Sequence, residues 1–126
     1  MTSTSEEKYQ RINEVMKAAC GHGVHHKKGA IFHFPIYRGD KTKSTSIESL
    51  DLSVRSYNCL KRGGFNTVDD LVGAMAEGRS LKTLRNCGTK SVEEIMEHLF
   101  LWQLMEIKPE RRIKYLEKVF EMNIGA

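Results

Sequence analysis

The chain has 126 residues, and 40% of them are hydrophobic, which is enough for a packed core and excludes wholesale disorder. No apolar run is long enough to cross a membrane, and the opening MTSTSEEKYQ lacks the basic and apolar segments of a secretory signal. Three cysteines without a CxxC spacing favour a reducing compartment, so a disulfide framework is not expected.

The formal net charge of +4 is unevenly distributed along the chain. Residues 1–46 hold 8 basic and 4 acidic side chains, residues 47–100 hold 7 and 8, and residues 101–126 hold 5 and 4. A mildly basic chain is compatible with a nucleic-acid partner. If residues 47–100 bind DNA, they must do so with a few well-placed groups, because they offer no broad basic field.

Residues 1–46 are predicted to form an N-terminal extension. An apolar stripe predicts a helix over residues 6–20. The stripe consists of Tyr9, Ile12, Val15, Met16 and Ala19. A His/Lys/Gly loop follows at 22–29, then an extended segment at 30–37 and a polar linker at 39–46. The cysteine and histidines of this region lack a standard zinc-ligand spacing, so no metal is expected. They are Cys20, His22, His25, His26 and His33.

The middle of the chain reads as short helices joined by tight turns. Ser53 is placed to cap a helix over residues 54–62, which a Gly-Gly pair then stops. Thr67 and Asp70 form a capping-box signature that opens a second helix, through about residue 75.

A single turn over residues 81–84 and a Gly-containing turn lead into a long helix over 90–105, and Pro109 suits the start of a last helix over 109–122. Because helix, Gly turn and helix occur twice, we predict an all-α fold: a compact bundle of short helices with two helix–hairpin–helix-like units and extra N- and C-terminal helices. Residues 99–105 are apolar nearly all round. We expect the last helix to cover them through Leu116 and Phe120, or else to pair with a second copy.

Two polar groups stand out on the helix over residues 54–62. Its helical period places Val54, Tyr57 and Leu60 towards the core, and Arg55, Asn58, Cys59 and Arg62 on the other side. Arg55 and Asn58, one turn apart, offer the donors and the acceptor that reading nucleic acid requires. A solvated polar face is the alternative.

The start of the long helix, Gly88-Thr89-Lys90-Ser91, is a second candidate site. The first N–H groups of a helix have no internal partner, and the helix dipole favours an anion there. Gly88 permits a close approach of phosphate, while Lys90 adds charge and Ser91 a hydroxyl. A helix start without a ligand is the alternative.

Two segments, LSVRSYNCLKRGGFNTVDDLV at 52–72 and LRNCGTKSVEEI at 84–95, strongly resemble the C-terminal domain of the bacterial RNA polymerase alpha subunit. The resemblance covers about residues 47–100 and implies a SAM-like helical fold of the alpha C-terminal domain type. In that family the domain binds AT-rich upstream promoter DNA through the minor groove and touches sigma factor and activators. An A·T minor groove offers only acceptors and concentrates negative potential, which suits an inserted Arg.

The resemblance also implies the site residues. The family's DNA-contact pattern matches Arg55, Asn58, Cys59, Gly88, Lys90, Ser91 and Glu94, and its turn matches Arg85 and Asn86. Glu94 is expected to orient an Arg or Lys, since it would repel phosphate, and Asp51 matches the sigma-facing position. Thr89 stands where the family commonly has Lys or Arg, and Cys87 replaces a larger apolar residue.

The predicted organisation is an extension at 1–46, an alpha C-terminal-like DNA-binding domain at 47–105 and a helical extension at 106–126. We expect a free-standing cytoplasmic, nucleoid-associated transcription protein, a monomer or weak homodimer, that binds double-stranded DNA without a cofactor. No catalytic constellation is present, so an enzyme is not expected. Two alternatives stay open: a module that binds polymerase, sigma factor or a regulator with DNA binding vestigial, and an accessory of DNA repair or recombination.

Overall fold

The computed structural model describes residues 10–21, 33–78, 81 and 87–123. These residues form α1 (Gln10–Cys20), α2 (Asp40–Ser44), α3 (Val54–Arg62), α4 (Val68–Ala76), α5 (Thr89–Glu106) and α6 (Arg112–Asn123), with 3₁₀ turns at Ile47–Leu50 and Pro109–Arg111. Within these ranges the only β pairing is an isolated bridge between Ser46 and Thr67. The all-α prediction is confirmed. None of the described helices is long and apolar enough to cross a membrane.

The chain divides into two compact units. One, the central unit, comprises residues 36–99, and the other, the terminal unit, comprises residues 1–35 and 100–126. The long helix α5 contributes its first part to the central unit and its last turns to the terminal unit. The domain boundaries expected from the sequence, at 46 and 105, stay a prediction.

Helix starts in the central unit follow the predicted capping chemistry. The Ser53 hydroxyl accepts a hydrogen bond from the Ser56 N–H at the start of α3. At the start of α4, Thr67 Oγ1 accepts from the Asp70 N–H, while the Asp70 carboxylate accepts from the Thr67 N–H. Each cap gives otherwise unpaired N–H groups a partner, which fixes where the helix begins.

Residues 39–46, predicted to be a linker, are instead folded onto α4. They contain α2, whose Thr42 is fully buried and donates from Oγ1 to Asp69 Oδ1 at 2.9 Å. Arg38 binds the same carboxylate with two hydrogen bonds, of 3.1 and 2.8 Å. A Cβ on Gly73 would lie 3.2 Å from Arg38 Nη2, so the absence of a side chain there leaves room for the guanidinium. The predicted extended segment at 33–37 carries no regular secondary structure, and residues 30–32 lie outside the described residues.

The core of the central unit lies along α5. From α5, Val92, Ile95, Met96 and Leu99 are buried in this unit. Ile47, Leu60, Val68 and Leu71 are buried in the same unit. Removing this apolar surface from water supplies the main stabilising free energy of the unit.

The terminal unit packs α1 against α6. Phe100 lies edge-on to Phe34 with 5.3 Å between ring centroids, and it stacks on Tyr115 at 6.3 Å. The later turns of α5 and the first turns of α6 therefore meet, as predicted, with Leu116 buried but with Tyr115 rather than Phe120 as the buried aromatic. Ile113 of α6 is 59% exposed, whereas Tyr115, Leu116 and Val119 of the same helix are buried.

Hydrogen bonds close the terminal unit at both ends of α6. The Arg112 guanidinium donates to the carbonyls of Leu104, Met105 and Ile107, which lie at and just beyond the C-terminal end of α5. Asn123, at the other end of α6, accepts from the His33 N–H and donates to the His33 carbonyl, at 2.9 and 2.7 Å.

Candidate nucleic-acid interface

The starts of α3 and α5 meet around a shallow cavity of about 440 Å³ in the central unit. Its lining residues are Ser53, Arg55, Ser56, Gly88, Thr89, Lys90, Ser91 and Glu94. Arg55 and Gly88 belong to the two candidate sites predicted from the sequence and are 33 residues apart. In the structure the two sites thus form one surface. Two helix starts at one place bring together two sets of N–H groups without intrahelical partners, an arrangement that attracts anions.

The exposed part of this surface carries the cationic and amide side chains. Arg55, Asn58 and Lys90 are exposed, and so is Gly88. A Cβ on Gly88 would meet no atom within 4 Å, so the space over its backbone is open. The interface therefore offers a guanidinium, an ammonium and an approachable backbone, which are the groups that bind phosphates and base-edge acceptors.

Glu94 is half-buried in the lining of the same cavity and joins α5 to the start of α3. Its Oε1 accepts from Ser53 Oγ at 2.7 Å and from the Ser53 N–H at 3.3 Å. Burial alone would raise the pKa of this carboxyl, but hydrogen bonds from Ser56 and Ser53 outweigh that effect and lower the pKa. Glu94 was expected to orient an Arg or Lys; its hydrogen-bond partners here are serines, and the orienting role stays a prediction.

Two further residues of the predicted DNA-contact pattern lie below the surface. Cys59 is 1% exposed and Ser91 is 6% exposed. The prediction for the α3 faces is therefore wrong at two positions: Val54, assigned to the core, is 75% exposed, and Cys59, assigned to the polar side, is buried. The buried arc of α3 is Ser56, Cys59 and Leu60, because Ser56 is drawn inward by the Ser53 and Glu94 hydrogen bonds.

The segment that leads into α3 is held by a residue that the sequence did not single out. His98 Nδ1 lies 2.6 Å from the Leu50 carbonyl oxygen, and since a carbonyl only accepts, Nδ1 carries the proton. Asp51 follows in the left-handed region, at φ 52°, and is exposed. Glu94 and His98 are one turn apart on α5, so a single helix face fixes both ends of the 50–53 segment. The i,i+4 spacing of Glu94 and His98 was the available sequence signal.

Some predicted features fall outside the described residues. They are Arg85, Asn86 and the whole His/Lys/Gly loop at 22–29. Of the cysteine and histidines considered for a metal, the structure describes the His33 side chain. In the part of the chain that the structure describes, no three His, Cys, Asp or Glu side chains gather where they could hold a metal ion.

The fold and the site together define an all-helical domain that presents two helix starts at one polar surface. Residues 38–100, half of the 126 residues, match the family described as the C terminal domain of the bacterial RNA polymerase alpha chain. The protein belongs to this family.

Its relatives are polymerase subunits. The chain is 52% identical over 60 residues to the DNA-directed RNA polymerase subunit alpha of Alkaliphilus oremlandii, and 55% identical over 56 residues to that of Heliobacterium modesticaldum. These stretches cover 48% and 44% of this chain, but 18% and 17% of the relatives. The chain thus spans less than a fifth of the length of the curated relatives that it matches.

No solved structure matches the chain significantly. The matched part of the polymerase is a non-catalytic domain, so the expectation that this chain is not an enzyme is confirmed.

Proposed function

We propose that the chain binds AT-rich double-stranded DNA through the minor groove, as a DNA-binding protein of the transcription apparatus. The observation that carries the proposal is the meeting of Arg55, Lys90 and the open backbone of Gly88 around one cavity. Arg55 enters the groove, where A·T pairs present acceptors and the potential is most negative. Asn58 bonds a base edge or a sugar.

The start of α5 holds a phosphate in this proposal. Its N–H groups and dipole attract the anion, Gly88 lets it approach, and Lys90 adds a charge. Because residues 47–100 carry a net charge of −1, these few contacts supply the affinity and a broad electrostatic field does not. Cys59, Ser91 and Glu94 shape the surface from beneath.

Protein partners follow from the family. The matched relatives are alpha subunits of RNA polymerase, and we expect this chain to meet polymerase, sigma factor or an activator in the cytoplasm, near the nucleoid. Asp51 favours such a contact, since its carboxylate is exposed on the turn beside the start of α3 and is not needed to bind an anion. A protein-interaction module is therefore the second candidate function.

Fluorescence titration with AT-rich and GC-rich duplexes, at several salt concentrations, tests the proposal. The parent chain binds AT-rich duplex more tightly. R55A loses about 1–3 kcal/mol of binding free energy on AT-rich duplex and most of the sequence preference, as expected for a specific contact. K90A weakens binding to both duplexes alike and lowers the slope of log affinity against log salt by about one.

The control is K41A, which removes the same charge from an exposed position on α2, away from the cavity in the same unit. It leaves the affinity and the salt slope near parent values. If R55A binds AT-rich duplex as tightly as the parent does, the DNA surface is wrong and the protein-interaction module becomes the better assignment. Equal affinity of the parent for AT-rich and GC-rich duplexes would instead favour an accessory of repair or recombination.

A further inference from the structure

Two buried cysteines lie side by side beneath the candidate nucleic-acid interface. Cys59 is on α3, and Cys87 lies directly before Gly88 at the start of α5; they are 1% and 8% exposed, and neither is in a disulfide. The Cys87 thiol is within hydrogen-bonding reach of the Cys59 side chain. The two sulfurs thus connect the two elements that carry the proposed DNA contacts.

A guanidinium accompanies the pair. Arg62 Nη2 donates to Cys59 Sγ at 3.9 Å, and its charge also acts on Cys87. Burial, followed by the hydrogen bond with Cys59, raises the pKa of the Cys87 thiol to about 12. Cys87 is therefore a protonated thiol at neutral pH. Cys59 is the sulfur that Arg62 contacts directly, so we assign the first reaction with an oxidant to Cys59.

We propose that Cys59 and Cys87 are a dithiol modification site that hydrogen peroxide converts to an intramolecular disulfide, and that this bond lowers the affinity of the protein for DNA. The second half of the statement rests on the proposed function, and the first half does not.

The reaction balances without another reactant. The Cys59 sulfur attacks one peroxide oxygen and the O–O bond breaks, leaving a sulfenic acid on Cys59 and a hydroxide that takes up the thiol proton as water. The Cys87 sulfur then attacks the Cys59 sulfur; the S–S bond forms, the S–O bond breaks, and the leaving hydroxide takes the Cys87 proton. Two thiols lose two electrons, and one peroxide becomes two waters. A small dithiol reverses the modification.

The geometry explains why the bond would affect binding. A disulfide holds its sulfurs about 2 Å apart, closer than two thiols in hydrogen-bond contact. Its formation draws α3 towards the turn before α5. Arg55 lies one turn before Cys59, and Gly88 follows Cys87 directly, so the separation between the two proposed DNA contacts changes. Contacts misplaced by about 1 Å lose much of their binding free energy.

The experiment uses the 126-residue chain with the third cysteine removed, C20S, so that Cys59 and Cys87 are the remaining thiols. The folded protein is treated with hydrogen peroxide, and catalase then removes the excess. The protein is alkylated, and its intact mass is measured by mass spectrometry. We expect a loss of about 2 Da and no alkylation, as for one disulfide. DNA affinity falls by about tenfold or more and returns after dithiothreitol. The control C20S/C87A binds DNA like the reduced parent and forms no intramolecular bond.

Each outcome has a defined meaning. Two alkylated thiols after peroxide overturn the modification site, whatever the DNA titration gives. A disulfide that leaves DNA affinity unchanged overturns its effect on binding. If the reduced protein does not bind DNA, the proposed function fails and the effect on binding fails with it, while the mass still decides whether the disulfide forms.

Discussion

The carboxylate of Glu94 lies in the middle of a surface proposed to bind phosphates, where an exposed acid would be unfavourable. Ser53 and Ser56 donate hydrogen bonds to this carboxylate, which stabilises its charge and lowers its pKa. Because Ser53 caps α3, the carboxylate fixes the helix start that carries Arg55. In the proposed function, a residue that would repel DNA electrostatically supports DNA binding by positioning Arg55.

This arrangement predicts the sign of a substitution. E94A removes a negative charge, yet we expect weaker binding to AT-rich duplex, with a loss of about 1–2 kcal/mol in the free energy of unfolding from the missing charge-assisted hydrogen bonds. The control is E97A, which removes the same charge three residues further along α5 and leaves the Ser53–Glu94 hydrogen bonds in place. Titration and urea unfolding measure the two quantities. Tighter DNA binding by both variants would mean that electrostatic repulsion, and not positioning, governs the role of Glu94.

The periodicity of α3 predicts the burial of some of its residues correctly and of others wrongly. The i, i+3 pattern of Val54, Tyr57 and Leu60 is that of a core stripe, and it placed Leu60 correctly. Val54 is at the first position of the helix, where few neighbours surround it, and Ser56 is buried through hydrogen bonds to partners on α5 that lie 38 residues away in sequence. Polar side chains buried by distant partners leave no periodic signal.

At the level of elements, one carboxylate of α4 binds both α2 and the residue Arg38 before it. Asp69 accepts two hydrogen bonds from Arg38 and one from the buried hydroxyl of Thr42. The Arg38 hydrogen bonds, followed by that of Thr42, lower the pKa of Asp69 from 3.8 to about 2. The carboxylate is therefore ionised in the folded protein at pH values where it is protonated in the unfolded protein.

The pH dependence follows from this direction. A depressed pKa contributes stability that is fully present above pH 3.8 and is lost as pH falls towards 2. We expect the free energy of unfolding of the parent to fall more steeply between pH 5 and about pH 2 than that of D69N, with the two curves converging at the acid end. Exposed Asp40 offers the control, since D40N should keep the parent's steep dependence. Chemical denaturation across this range makes the comparison, and parallel curves for the parent and D69N would refute it.

The helices that could be predicted are those whose ends carry local chemistry. Ser53, the Gly-Gly pair after Arg62 and the Thr67–Asp70 box place α3 and α4 to within a residue or so. The five-residue α2 was missed because its sequence, DKTKS, has no apolar periodicity. Short helices are not stable by propensity alone, and this one is held by contacts from Thr42 to a residue 27 positions away.

At the scale of the whole molecule, the terminal unit is built from the two ends of the described sequence. Ile12 and Met16 of α1 are fully buried, and α1 packs on α6. The Asn123 side chain bonds both backbone groups of His33, across 90 positions of sequence, and Tyr115 Oη donates to the Pro35 carbonyl at 2.7 Å. The stability of the terminal unit therefore depends on contacts between residues that are far apart in the sequence.

Removing α6 tests this dependence. A variant ending at Lys108 loses Tyr115, Leu116 and Val119, each a buried side chain contributing roughly 1.5–3 kcal/mol. We expect backbone hydrogen exchange in α1 to become fast, while residues 54–76 of the central unit keep their protection. A variant ending at Asn123 is the control and keeps protection in both. Unchanged protection of α1 after the longer truncation would show that α1 does not depend on α6, and light scattering on the same samples reports whether the exposed face recruits a second copy.

The clamp between Asn123 and His33 has a consequence for the order of events during synthesis. Ribosomes add about 5–20 residues per second, so the 90 residues between the two partners take roughly 5–20 s to appear. Residues 36–99 leave the ribosome within that interval. All residues of the central unit are therefore available for folding before the terminal unit is complete. The apolar face of α1 stays exposed until α6, which packs on it in the folded protein, emerges from the ribosome. During that interval this face of α1 is open to aggregation and to chaperone capture, and the emergence of α6 ends the exposure.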